Sequence, residues 1–97
     1  MIITEALIQA LTACYAIARG RTTGLIGDFE TVRKHTDGVP NKHKLFSSGH
    51  AAVRWLLAEL SKTAEARALN PDEQETFDSC KKLMSEWPPE IVWPSMI

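Results

Sequence analysis

Thr4-Glu5-Ala6-Leu7-Ile8-Gln9-Ala10-Leu11-Thr12-Ala13-Cys14-Tyr15-Ala16-Ile17-Ala18-Arg19 carries few polar side chains, and those few fall on one line of a helical wheel. Glu5, Gln9, Thr12 and Arg19 are spaced i, i+4, i+7 and i+14, which on a 3.6-residue period makes a single narrow polar stripe. Thr4 suits an N-cap, Glu5 sits in the first turn, and Gly20 follows Arg19 as a stop. The spacing predicts a helix over 4–19 that is apolar on most of its surface. Such a helix belongs at the centre of a bundle or against a second subunit, so a homo-oligomer is expected.

Beyond it, Gly20-Arg21-Thr22-Thr23-Gly24-Leu25-Ile26-Gly27 is rich in glycine and hydroxyls and reads as a connection. A short second helix follows, capped by Asp28 and stopped at Thr36-Asp37-Gly38. Residues 37–47 combine turn signals with a basic Lys42-His43-Lys44 and read as a long loop. Ser48 opens a third helix to about Leu69, with Val53, Leu56, Leu57, Leu60 and Ala64 on its apolar face. The fourth has the clearest start: Asn70 at the cap, Pro71 at the first helical position, and Glu73 placed to close a capping box. Phe77, Cys80, Met84 and Trp87 then recur at helical spacing until Pro88-Pro89 ends it. The expected architecture is therefore all-α: a single helical domain over 1–97, a four-helix bundle of three long helices and one short, with an apolar extended C-terminal tail.

Composition bounds the function classes. The 97 residues are 44% hydrophobic and 24% charged, ordinary for a globular chain. Residues 1–55 hold seven basic and four acidic side chains, and residues 56–97 hold four and eight, so a net −1 divides into +3 and −4. That division argues against bulk capture by nucleic acid, which is not expected as a partner. No apolar run approaches the ~20 residues of a membrane span, and membrane association is not expected. Cys14 ends a lipoprotein-like Leu11-Thr12-Ala13-Cys14, but nothing before it is basic. With two cysteines and no disulfide framework, a cytoplasmic setting is expected.

Three groupings invite chemistry. His35, His43 and His50 lack the close ligand pairs of a zinc module, so no metal or other cofactor is expected. Asp72, Glu73, Glu75 and Asp78 crowd the start of a helix, where the macrodipole favours them, and no catalytic residue is assigned among them. Tyr15, Arg19, Arg21, Thr22, Thr23 and Gly24 surround an expected helix end and a glycine-flanked turn. There, backbone N–H groups, hydroxyls and guanidinium groups would face a phosphate, with Tyr15 free to stack on a base.

The expected function is a small non-catalytic protein–protein interaction module: an adaptor, inhibitor or assembly factor acting on a larger protein, as phage or plasmid regulators do on host complexes. Its partner surface is expected in the tail at Ile91, Val92, Trp93 and Met96, because aromatic and aliphatic side chains anchor interfaces. The competing expectation is a binder that sequesters a phosphate-bearing metabolite or nucleotide at the Arg19 to Gly24 loop. The basic stretch around Lys42 to Lys44, with no aromatic residues interleaved in sequence, reads as solvated surface.

Overall fold

A computed structural model describes residues 2–11 and 13–87. Seven elements follow one another: α1 (Glu5–Ala10), β1 (Cys14–Arg19), β2 (Gly24–Ile26), α2 (Phe29–Thr36), β3 (Lys42–Phe46), α3 (Gly49–Ala66) and α4 (Pro71–Glu86). The strands form an antiparallel sheet in the order β2-β1-β3. The expectation of an all-α four-helix bundle is therefore corrected to a mixed α/β fold.

The stretch 4–19 is where the difference arises. Thr4 does cap a helix, accepting from the Leu7 amide at 3.2 Å, but α1 ends at Ala10 and the chain re-enters as the central strand. A central strand covered on both faces carries apolar side chains on each, so β1, with only Tyr15 half-buried and Arg19 exposed, lacks the apolar–polar alternation that marks a strand in sequence. In β1, Cys14, Ala16 and Ala18 face the cluster of Ala52, Val53 and Leu56 on α3, whereas Ile17 and Tyr15 face Ile26 and Val32 on the α2 side. The two-residue period is present in what each side chain touches and invisible in its polarity. These two layers bury Cys14, Ala16, Ile17 and Ala18.

The loop expected over 37–47 contains β3, an edge strand whose side chains are exposed except for the half-buried Phe46. Its charged residues are what an edge strand carries to discourage further strand pairing. The remaining helices follow their sequence signals. Asp28 accepts from the Thr31 amide to start α2, and Gly38, at φ 73°, follows its end. Ser48 caps α3, and Asn70 and Glu73 close the capping box of α4.

α3 lies across one face of the sheet with α1 and α4 against it, and α2 lies over β1 and β2 on the other face. Gly49 is required where α1 meets α3, because a Cβ there would stand 2.5 Å from Ile8 Cγ2. Among the described residues, no helix is long and apolar enough to cross a membrane. The tail positions Ile91, Val92, Trp93 and Met96 lie outside the described residues.

Candidate nucleic-acid interface

Because α2 covers β1 and β2, the outer part of that sheet face along β3 stays open. Residues directly opposite in an antiparallel pair share a face. Tyr15 is opposite Leu45, and Ile17 is opposite His43, so Leu45 and His43 project on the α2 side beside Tyr15. Phe29, the first residue of α2, brings its ring to 5.8 Å from the Tyr15 ring. Phe29 remains 51% exposed and Leu45 53%. His43 is held by Asn41, with Nδ1 at 3.1 Å from Oδ1.

The alternate residues of β3 leave by the other face. Phe46 packs its ring 5.6 Å from Trp55, Lys44 Nζ sits 5.4 Å from the Phe46 centroid, and Lys42 Nζ pairs with Glu59 on α3 at 2.8 Å. The edge strand thus presents apolar and imidazole groups on one side and ammonium groups on the other.

The structure separates the residues expected to form a phosphate loop. That expectation relied on a helix end beside Tyr15. With β1 extended, Tyr15 and Arg19 are four residues apart at ~3.3 Å each, or roughly 13 Å, and Arg21 lies past the strand in the turn that follows. Arg21 turns to the C-terminal end of α2: its amide donates to the His35 carbonyl at 2.8 Å, and Nη1 donates to the carbonyls of Lys34 at 3.0 Å and Asp37 at 2.7 Å. A cation at the negative end of a helix is stabilising there. Thr22 and Thr23 face the other way, onto α4. Thr22 Oγ1 donates to Asp72 Oδ1 at 2.9 Å, and the Thr23 amide and hydroxyl donate to Oδ2 at 2.8 and 2.9 Å. Gly24 opens β2 with φ 137°. The threonines therefore already hold a carboxylate, Arg21 is exposed but bound to the α2 carbonyls, and Arg19 is exposed at the end of β1.

Asp72 carried no signal for this contact in sequence, since its partners lie 49 and 50 residues away. Phe29 and Leu45 read in sequence as core positions, because Phe29 shares a helical face with Val32 and Leu45 adjoins Phe46, so neither signalled an exposed surface. His50 sits on α3, with Nε2 3.0 Å from Glu5 Oε1 and its ring 4.7 Å from that of Trp87. Among the described residues, no three His, Cys, Asp or Glu side chains gather as metal ligands.

Residues 13–56 are similar to the Ribonuclease H1 N-terminal domain. The matched segment takes in β1, β2, α2, β3 and the first turns of α3, and so contains Tyr15, Phe29, His43 and Leu45. Comparison with curated proteins and with solved structures gives no match. The similarity to a Ribonuclease H1 N-terminal domain conflicts with a chain that works only through protein contacts, and it corrects the expectation that nucleic acid is not a partner. Two physical reasons lie behind that correction. Charge counted over half-chains hid the matched segment, which holds seven basic against three acidic side chains. No aromatic residue interleaves the basic stretch along the sequence, whereas Tyr15 and Phe29 join the β3 surface in space.

Proposed function

We propose that this chain binds a nucleic-acid duplex, with an RNA/DNA hybrid as its preferred form, through the open sheet face at Tyr15, Phe29, His43 and Leu45. The observation that carries the reading is the coincidence of this exposed patch with the segment similar to the Ribonuclease H1 N-terminal domain, a domain that binds RNA/DNA hybrids. Apolar and aromatic side chains at a strand edge pack against sugars and bases. The role is binding, with no bond made or broken by the chain itself.

Fluorescence anisotropy with short labelled duplexes tests this. The hybrid binds more tightly than duplex DNA or duplex RNA of the same sequence, and log K falls linearly with log salt. Equal affinity for all three duplexes removes hybrid preference, and no binding at low salt removes the proposal.

A further inference from the structure

The opposite side of β3 holds a second feature. The register between β1 and β3 shifts after Ile17: Ile17 is opposite His43, but Arg19, two residues on, is opposite Lys42, only one residue back. The extra β1 residue is Ala18, and a bulge of this kind re-aims the side chain that follows it. Arg19 consequently joins Lys42 on the wall of a groove at the α3 side of the sheet, with Asn41, Glu59, Lys62 and Thr63. This groove has a volume of about 420 Å³, and a neighbouring hollow of about 260 Å³ shares Arg19, Thr63 and Ala66 and adds Arg67.

Four cations and two carboxylates set its charge. Glu59 takes Lys42 at 2.8 Å and Lys62 at 3.6 Å, and the buried Glu73 takes Arg67 through both oxygens at 2.7 and 2.8 Å. The Arg19 guanidinium forms no side-chain hydrogen bond among the described residues, and it lies close enough to Glu73 to help hold that carboxyl down. The lysines and arginine keep accessible side chains, 55% exposed for Lys42, 71% for Lys62 and 45% for Arg67. The C-terminal end of α3 opposes an anion with roughly half a negative charge. Against that, four cations and two carboxylates leave a surplus of two positive charges, Arg67 and Arg19 both acting on the single carboxylate of Glu73.

We infer that this groove is a phosphate-binding site, distinct from the Tyr15 and Phe29 face, for an extended polyanion: the phosphodiester backbone of a nucleic acid or a free oligophosphate. Its volume exceeds that of one phosphate group, and its cations are spread along it, which suits a row of phosphates. Arg19 supplies the bidentate donor, and Lys42 and Lys62 are held on either side by the one carboxylate of Glu59.

The experiment titrates the full chain with inorganic tripolyphosphate, by calorimetry and by amide chemical-shift mapping, for the parent and for R19Q and R19Q/K62Q. Saturable binding with shifts at Arg19, Lys42, Lys62 and Arg67 is expected, weakened about tenfold by R19Q. K81Q, on the exposed part of α4, leaves it unchanged. The second arm measures duplex affinity against salt, where each lost backbone contact lowers the slope by about one. A reduced slope in R19Q together with tripolyphosphate binding marks a nucleic-acid backbone site, and tripolyphosphate binding with an unchanged slope marks a free oligophosphate site. No saturable binding in either arm, or binding that R19Q/K62Q leaves intact in both, overturns the inference. Because tripolyphosphate needs no duplex, failure of hybrid recognition leaves this result separately readable.

Discussion

Asp72 accepts both the amide and the hydroxyl of Thr23, at 2.8 and 2.9 Å, and so joins the first turn of α4 to the turn between β1 and β2. Thr76, one turn further along α4, stands 2.7 Å from the same hydroxyl in a fully buried position. The fourth helix, outside the segment similar to the Ribonuclease H1 N-terminal domain, is thereby fastened to the hairpin within it.

Asp72→Ala leaves the buried Thr23 groups without their acceptor. An unsatisfied buried donor costs about 1–3 kcal/mol, so a loss near the upper end is expected in urea unfolding. Asp72→Asn retains one acceptor oxygen and should lose about half as much. Equal losses would show that the charge, and not the acceptor geometry, is what matters.

Gly49→Ala is expected to destabilise although alanine favours helices. The gain in propensity is at most about 1 kcal/mol, whereas overpacking against Ile8 costs about 1–3 kcal/mol. Pairing the change with Ile8→Ala removes the atom at 2.5 Å and leaves Cβ and Cα at 3.2 and 3.3 Å, so the Gly49→Ala effect should shrink in thermal unfolding. An undiminished effect in the double variant would place the strain elsewhere.

Acid should weaken the fold through its paired carboxylates. The Arg67 guanidinium holds the Glu73 carboxyl below the ordinary 4.5, against the opposing effect of burial and with help from the Asn70 amide. Trp87, foremost, lowers Glu5, and Lys42 lowers Glu59. A carboxyl depressed in the folded state contributes stability above its unfolded value, and that contribution disappears as pH falls through the folded value. Unfolding free energy should therefore drop from about pH 5 downward, with a shallower drop in Glu73→Gln, which itself costs about 1–2 kcal/mol at neutral pH.

Phe29→Ala should separate binding from stability. Half of the ring is already in water, so the fold loses under about 1 kcal/mol. Stacking of a base or sugar on such a ring is worth about 1–3 kcal/mol, so hybrid affinity should fall by roughly 5- to 150-fold. Unchanged affinity in anisotropy would move the interface away from this face.

The two cysteines offer a probe of opening. Burial pushes the Cys14 thiol up to about 11 and the Cys80 thiol up to about 12, and both side chains lie in the core. An aromatic disulfide reagent should show no fast phase in the native protein and two thiols in urea. A fast native phase would mean that the α3 side of the sheet opens without global unfolding.

The helices α2, α3 and α4 were legible from residues alone because caps act locally: Asp28, Ser48 and Asn70 each satisfy amides within three residues. The sheet was not, because pairing depends on partners far along the chain. Cys14 to Arg19 is a strand only since β2 and β3 flank it and helices cover both of its faces, and in isolation the same apolar run fits a buried helix equally well. The candidate interface has the same origin. Tyr15, Phe29, His43 and Leu45 are spread over 31 positions, and the antiparallel register and the placement of α2 over β1 bring them to one surface. Helix starts, glycine-dependent turns and the distribution of charge follow from the residues alone. Tertiary structure decided which apolar run became a strand and which polar groups met, because burial and cross-strand hydrogen bonds belong to the assembled layers.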